Sequence, residues 1–312
     1  MISIIAPVFN EKDNLSELVS RIDNTLSDLN YEYELILVND GSTDGSAELI
    51  NKLSNKNSWI KSIHLLRNYG QTTALSAGID HSKYEIIVPI DADLQNDPYD
   101  IPRLVSKLNE GYDIVSGWRK DRKDSFFNRK FLSTIANYFI SKIWSIKLHD
   151  NGCSLKAYRK HVLDDINLYG EMHRLLPIYA RLNGTLKICE LPVKHHKRNH
   201  GSSKYGMNRI FKVILDLIVA TFLHRYSQKP IYVFGTFGIF NLVASFLCGC
   251  GAVFYKYFSA SYKSFIQTPL PLMSSMFFSV GILCILMGLL AELSIRTYYE
   301  SQNKKTYKLK SD

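Results

Sequence analysis

Residues 86–98 read IIVPIDADLQNDP, and the fold turns on this stretch. Ile86 to Ile90 make a short, mostly apolar, β-favouring run of the kind that forms a fully buried strand. Asn96, Asp97 and Pro98 supply the turn chemistry that stops it. Asp91 and Asp93, separated by Ala92 alone, therefore fall at the carboxyl end of a strand. In an open α/β sheet that is the edge where ligands bind, because loops there vary while the sheet holds them rigid. Two adjacent carboxylates repel, so keeping both ionised takes a cation, a cationic partner or full hydration. A hard divalent ion with oxygen ligands is the simplest cation to supply, although a D-x-D standing alone is more often a solvated acidic turn.

Outward from this stretch, strand and helix signals alternate. ISIIAPVFN is followed by a helical pattern over about residues 14–29, with Leu15, Leu18, Val19 and Ile22 on one face. Next come YELILVND, a helix through Ala47 to Leu53, the strand IKSIHLL and a helix from Gln71 to Asp80. Such alternation predicts a mostly parallel, doubly wound sheet. Polar clusters close each strand: PVFNEKDN, NDGSTDGS, RNYGQTTALSAG and the D-x-D. Asp40, ahead of Gly41, Ser42, Asp44 and Gly45, reads as a tight turn whose carboxylate could accept hydrogen bonds from a ribose or a base. Four such clusters on one rim predict a ligand site.

The chain has 312 residues, 46% of them hydrophobic, enough for one large domain and something smaller. Its mean hydropathy of -0.09 hides segregation. No Asp, Glu, Lys or Arg occurs from Ile231 to Tyr255 or from Ser264 to Ala291, and each stretch exceeds the ~20 apolar residues a helix needs to cross a bilayer. Two transmembrane helices in a hairpin are expected. Lys194, Lys197, Arg198, Lys204, Arg209, Lys212, Arg225 and Lys229 precede the first span, and Arg296, Lys304, Lys305, Lys308 and Lys310 follow the second, which predicts cytoplasmic termini in the inner membrane. Met1 leads straight into a strand pattern, so no signal peptide is expected. The net charge of +9 then serves an anionic membrane surface rather than nucleic acid. The five cysteines show neither disulfide nor zinc spacing. Between the soluble part and the spans, residues 205–229 carry an apolar face of Ile210, Val213, Ile214, Leu217, Ile218 and Thr221, which suits either an interfacial helix or one packed on the domain. Expected boundaries are 1–203 for the soluble domain, 204–230 for the interfacial region and 231–312 for the hairpin with its basic tail.

APVFNEKDN, VNDGSTDGS, RNYGQTTALSAGID and PIDADLQNDP, in that order, resemble the nucleotide-sugar-binding GT-A domain of glycosyltransferase family 2. GWRKDRKDSFFNRKFLS, DNGCSLKAYRK and RNHGSSKYG extend the likeness to the family's polyprenyl-phosphate branch, which includes dolichyl-phosphate mannose synthase and bacterial undecaprenyl-phosphate glycosyltransferases. The resemblance covers nearly the whole chain. It implies that Pro7, Glu11 and Asp40 hold the nucleoside, and that Asp91, Ala92, Asp93 and Gln95 hold a Mg²⁺ or Mn²⁺ ion and the diphosphate. It implies further that Arg119 and Arg129 hold the lipid phosphate, while Arg198, Ser203 and Lys204 close over the donor. Related enzymes are often homo-oligomers. Lys120, Arg122, Lys123 and Lys130 read as a solvated basic loop, and Phe126 and Phe127 as either membrane-dipping or packed beneath it. His195, His196 and His200 suit phosphate or lipid-surface contact better than a metal cluster.

One departure stands out: Ser154 occupies a position where some bacterial relatives carry an aspartate regarded as a candidate base. Asp150 is the fallback for that role, with structural capping as its alternative. A phosphate monoester, with a second pKa of about 6, arrives largely anionic and does not need a base. The expected function is an inverting transfer of one sugar from a nucleotide-sugar (UDP- or GDP-linked) to polyprenyl phosphate. Its rivals are a processive polysaccharide synthase, whose Q-x-x-R-W motif and additional spans are missing here, and a silent nucleotide-sugar-binding scaffold.

Overall fold

The computed structural model describes residues 1–29, 31–120, 148–164, 166, 168, 170, 172–174, 176–182, 186–196, 215, 219, 221–222, 226, 229–258 and 268–301. The chain divides into two compact units, Met1–Ile218 and Val219–Asp312.

The first unit is built on a seven-stranded sheet: β1 (Ile2–Val8), β2 (Tyr33–Asn39), β3 (Ile60–His64), β4 (Ile86–Pro89), β5 (Ile114–Trp118), β6 (Lys156–Arg159) and β7 (Ile188–Pro192), in the order β3-β2-β1-β4-β6-β5-β7. β1 to β4 run parallel, as do β5 and β7, whereas β6 is antiparallel to both β4 and β5. Helices α1 (Lys12–Leu26), α2 (Ser46–Lys56), α3 (Gln71–Asp80), α4 (Ile101–Asn109) and α5 (Leu176–Leu182) accompany the strands.

Both sheet faces are buried, which is why the central strands read as continuous apolar runs. Ile2, Ile4, Ala6 and Val8 of β1 pack with Leu15, Leu18 and Ile22 of α1 and with Leu104, Val105 and Leu108 of α4. Ile5, on the opposite face, packs with Ile36, Val38 and with Ala74, Leu75 and Ile79 of α3. The alternation follows from the period-2 geometry of a strand. α3 lies so close to β1 that a Cβ on Gly78 would come within 2.3 Å of Ile5 Cγ2.

Strand order places the ligand crevice. From β1 the chain winds outward to β2 and β3, then crosses back to β4 on β1's other side, so the carboxyl ends of β1 and β4 border a topological switch point. β6 adds something the strand-helix alternation did not announce. Because it runs against its neighbours, its beginning lies at the ligand rim, bringing the preceding residues 148–155 there too.

Local readings shift in detail. The helix expected over about 14–29 starts at Lys12 and ends at Leu26, with a 3₁₀ turn at Ser27–Leu29. β4 stops at Pro89, before Ile90. Asp97 does not end that strand: its side chain accepts the Tyr99 N–H and caps the 3₁₀ turn Pro98–Asp100. The chain has already reversed at Leu94, a buried residue with φ +60°.

The second unit contains α6 (Ile231–Phe258) and α7 (Leu270–Ser301). In each, a 28-residue segment is long and apolar enough to cross a membrane. At ~1.5 Å per residue that is about 42 Å, more than the ~30 Å hydrocarbon core. Unlike buried core helices, they leave Phe240, Phe246, Leu272 and Leu290 between 65% and 74% exposed. They mark the chain as membrane-anchored. The two helices are antiparallel and meet through small residues: a Cβ on Gly238 would lie 2.6 Å from Ile285 Cγ1 and 2.9 Å from the Gly281 carbonyl. Ser245 Oγ donates to the Ser274 carbonyl at 2.7 Å and Ser274 Oγ returns the bond to the Ser245 carbonyl at 2.8 Å. Arg296 pairs with Glu292 at 3.4 Å, one turn away; the arginine is exposed but the glutamate is largely covered. Of the expected interfacial segment, Leu215, Val219, Thr221, Phe222 and Tyr226 are helical and most other residues lie outside the described set.

Candidate active site

The loops at the carboxyl ends of β1 and β2 interlock through short polar side chains. Asn10, at φ +54°, donates its N–H to Ser42 Oγ (3.0 Å) and accepts the Thr43 N–H on Oδ1 (2.8 Å). Glu11 precedes α1, accepts from Asn14 Nδ2 at 2.6 Å and donates its N–H to Ser46 Oγ at 3.3 Å. Asp40 differs from its expected role as an open acceptor for ribose or base. It is 2% exposed, and its two carboxylate oxygens accept the backbone N–H groups of Tyr69 (2.7 Å) and Gly70 (2.9 Å). It therefore fastens the loop after β3 to the end of β2. Gly41 permits this closeness: at φ +68°, any Cβ would lie 2.5 Å from the backbone of Arg67 and Asn68.

Asp91 lies at the centre. Gln71, the first residue of α3, donates Nε2 to Asp91 Oδ1 at 2.7 Å, and Ser154 Oγ donates to Asp91 Oδ2 at 2.5 Å. Asn96 Nδ2 in turn donates to Ser154 Oγ at 2.7 Å. The β4–β6 register explains the meeting of Asp91 and Ser154. Ile86 faces Arg159 and Ile87 faces Tyr158, and the same register continued past the paired segments sets Asp91 opposite Ser154. The adjoining cleft is lined by Pro7, Gln71, Ile90, Asp91, Ser154 and His173, the last paired through Nδ1 with Thr72 Oγ1 at 2.6 Å.

Burial, then the neighbouring Asp93, pushes the Asp91 carboxyl above the usual carboxylate range; Ser154, Arg119 and Gln71 pull the other way. Asp93 is 7% exposed and accepts the Gln95 N–H on Oδ1 at 3.1 Å. A divalent cation suits this pair, because it would relieve the repulsion that favours a proton on Asp91. Among the described residues no group of three or more His, Cys, Asp or Glu side chains converges as a metal cage. The donor set thus fits an ion held by one or two carboxylates and completed by substrate phosphates and water, the usual manner of Mg²⁺.

Arg119 follows β5, and Asp150 grips it from the loop ahead of β6: Nε to Oδ2 is 2.7 Å and Nη2 to Oδ1 is 2.9 Å. Both side chains are 12% exposed. Burial works against the arginine's charge, but Asp150 outweighs it and holds the pKa above its ordinary value. Asp150 Oδ1 also accepts the Gly152 N–H at 3.2 Å. Its oxygens are thus committed to orienting Arg119, which corrects the reading of Asp150 as a fallback base. Asp150 is itself held by Glu190 of β7, which accepts its N–H at 2.9 Å and pairs with His149 Nδ1 at 2.8 Å. Trp118 stacks on that histidine with ring centroids 4.5 Å apart.

Two of the three histidines near residue 195 lie among the described residues. His195 bridges to Asn96, and His196 donates its N–H to the Gln95 carbonyl (2.8 Å) while Nε2 meets Asp97 Oδ2 at 3.1 Å. They strap the chain after β7 onto the acidic turn. Arg129, Arg198, Ser203, Lys204 and His200, with Arg122, Lys123, Phe126, Phe127 and Lys130, lie outside the described residues. Pro7, Glu11, Asp40, Asp91, Ala92, Asp93, Gln95 and Arg119 stand at strand ends on the sheet's ligand rim. Gln71 and Asn96 were not foreseen as site residues, and neither was the pairing of Asp150 with Arg119. Their signal was weak: Gln71 stands just after a glycine at the mouth of a helix, and DNGCS is a polar run before a β pattern.

Comparison with known proteins agrees with this geometry. Residues 3–166 match the family model Glycosyl transferase family 2. The chain is 39% identical over 311 residues to dodecaprenyl-phosphate galacturonate synthase of Rhizobium johnstonii, covering 98% of this chain and 91% of that one. In fold it resembles glucosyl-3-phosphoglycerate synthase from Mycobacterium tuberculosis. The complex of that protein with Mn²⁺, UDP and phosphoglyceric acid aligns at TM-score 0.53 and 19% identity over 71% of this chain and 78% of the other. Its complex with Mn²⁺ and UDP-glucose aligns at TM-score 0.53 and 18% identity over 72% and 78%.

Proposed function

This chain belongs to glycosyl transferase family 2, and from that premise we propose that it moves a single sugar from a nucleotide-sugar donor onto polyprenyl phosphate. It is a glycosyltransferase with a GT-A-type domain, anchored by two apolar helices. The observation that carries the proposal is that a carboxylate pair and a buried, oriented guanidinium share one rim. A single loop, residues 150–154, hydrogen-bonds to both Asp91 and Arg119. One group set suits a cation-bound diphosphate, the other a phosphate monoester. The relative in Rhizobium johnstonii, whose printed name joins a dodecaprenyl phosphate to a galacturonate, supports the same acceptor class.

In this reading Pro7, Glu11 and Asp40 shape the nucleoside end, with Asp40 acting through the Tyr69–Gly70 loop it holds. Asp91, Ala92, Asp93 and Gln95 receive the diphosphate and its metal, and Arg198 and Lys204 cover it. A bound Mg²⁺ or Mn²⁺ would neutralise charge developing on the leaving diphosphate. Arg119, aimed by Asp150, and Arg129 hold the acceptor phosphate as the dianion. A phosphate oxygen attacks the anomeric carbon while the bond from that carbon to the diphosphate oxygen breaks on the opposite face, inverting the configuration. No proton has to be removed, since the monoester is already largely deprotonated near neutral pH, its second pKa being about 6. Ser154 cannot stand in for a carboxylate base, because a neutral hydroxyl is far too weak a base, and here it serves as a donor to Asp91. The catalytic domain (1–203), the interfacial segment (204–230) and both termini lie on the cytoplasmic side, with 231–312 providing the hairpin and tail.

The test uses full-length protein in detergent with Mg²⁺ or Mn²⁺ and undecaprenyl or dodecaprenyl phosphate. The donor panel comprises UDP-galacturonate, UDP-glucose, UDP-N-acetylhexosamine and GDP-mannose. One donor should yield a lipid-extractable monophosphosugar and free nucleoside diphosphate. Transfer from none of them, by protein that still binds metal and nucleotide, would end the proposal.

A further inference from the structure

Loop 150–155 connects the two halves of the site, and one residue behind it is not used by the chemistry above. Asp150 at its start holds Arg119, and Ser154 near its end holds Asp91. Between them Gly152 runs so close to Arg119 that a Cβ would lie 3.4 Å from Nη2. Cys153 is 1% exposed, and burial pushes its thiol up to about 11, so it is an inert neutral filler. Lys156, the first residue of β6, is also 1% exposed. Its Nζ donates to the Asn151 carbonyl at 3.1 Å and to the Cys153 carbonyl.

A buried ammonium is costly to keep, and an aliphatic side chain of equal length would fill the same space opposite Ser116 without that cost. Burial indeed pulls its pKa down, the nearby Arg119 adding to this, while Asp150 and Asp91 oppose it. Its two donated bonds run inward to the loop's backbone, so it touches no substrate. What they achieve is local: the peptide groups after Asn151 and Cys153 are both turned toward one cation, which leaves the loop little freedom between its anchors.

We propose that Lys156 is a positioning residue whose ammonium ties the Asn151 and Cys153 carbonyls to the head of β6 and thereby sets the spacing between Asp91 on the donor side and Arg119 on the acceptor side. The proposal rests on the functional reading above for the meaning of the two sides, but not for the tie itself.

Lys156→Met and Lys156→Arg in the full-length protein test it, first by amide hydrogen exchange. In folded Lys156→Met, exchange at Gly152 to Leu155 should quicken at least about tenfold while β1 amides are unchanged, with Lys156→Arg intermediate. Turnover should fall between about tenfold and a hundredfold, with the KM for polyprenyl phosphate raised and partly restored by Lys156→Arg. The second measurement is a cycle of Asp150→Asn, Ser154→Ala and their double variant, which should be non-additive in the native background and additive in Lys156→Met. Unchanged loop exchange in a folded Lys156→Met overturns the proposal, as does strict additivity in the native background. If Lys156→Met does not fold, exchange in Lys156→Arg and the native-background cycle decide. If the wild type transfers nothing to any polyprenyl phosphate, the functional reading falls while the exchange comparison still judges the tie.

Discussion

The parallel half of the sheet and the mixed half solve the same task in different ways. At the ends of β1, β2 and β3, polar side chains mostly hold backbone: Asn10 on Thr43, Asp40 on Tyr69 and Gly70, Asn39 on Ser42. Around β5, β6 and β7, ionisable side chains also hold one another: Asp150 on Arg119 and Glu190 on His149. In the proposed reading the first arrangement moulds a shape for a ligand that brings its own charge and metal, and the second stores a charge, aimed and partly dehydrated, for a ligand that must be gripped by it. Asp91 belongs to the first half by sequence and is held from the second by Ser154.

The largest effect expected from breaking this contrast is at Asp91 and Asp93, the carboxylates proposed to hold the metal. Asp93→Asn should lower turnover about a thousandfold, near 4 kcal/mol at 1.36 kcal/mol per tenfold. Mg²⁺ with UDP should raise the melting temperature of the wild type but not of this variant, as a thermal-shift titration would show. Asp150→Ala comes next. It strands a guanidinium that is 12% exposed, so stability should fall on the order of 3 kcal/mol, and kcat/KM about a hundredfold through the acceptor, read by varying polyprenyl phosphate at saturating donor. Asp40→Asn keeps one accepted N–H and turns an amide NH₂ toward the other. Chemical denaturation should show a loss of about 1–2 kcal/mol, with a raised donor KM as the Tyr69–Gly70 loop loosens.

The smallest effect carries the opposite sign. The Asp91 carboxyl has a raised pKa in the fold, so the native state binds more protons than the unfolded chain between the ordinary carboxylate value and the raised one. Metal-free stability should therefore fall as pH climbs through that window. Asp91→Asn should remove the dependence and raise the metal-free melting temperature by a few degrees, about 1 kcal/mol, while abolishing most activity. Scanning calorimetry at several pH values checks both. A destabilised Asp91→Asn would show that its hydrogen bonds outweigh the repulsion, and the two halves would then differ less than their geometry suggests.

How much of this was legible in the sequence follows from the same contrast. In the parallel half each site residue lies just past its own strand, so strand patterning found Asp40, Asp91 and Asp93 without any knowledge of contacts. What it could not give was Asp40's partners, 29 and 30 residues away in a loop whose path depends on Gly41. The mixed half was harder because β6 is short and reversed. The Arg119–Asp150 pair spans 31 residues and the Asp91–Ser154 bond 63, and only antiparallel pairing on both sides of β6 reveals them. The single-letter change to serine at 154 flagged a missing base; that the hydroxyl would instead brace Asp91 required the register. The apolar spans announced themselves by composition, whereas the contact of Gly238 with Gly281 depends on which helical faces meet.

Leu94 has a consequence for anyone engineering this enzyme. A buried leucine at φ +60° sits in a backbone region that commonly costs on the order of 1–3 kcal/mol, just past the acidic pair. Glycine would adopt that conformation freely, so Leu94→Gly is the substitution that would relieve the backbone. Yet the isobutyl group is driven into the hydrophobic interior and clamps the reversal from beneath. Swapping it would trade a stiff hinge pin for a loose one, leaving Asp93 to wander and an enzyme that tolerates heat no better while forgetting where its cargo should rest.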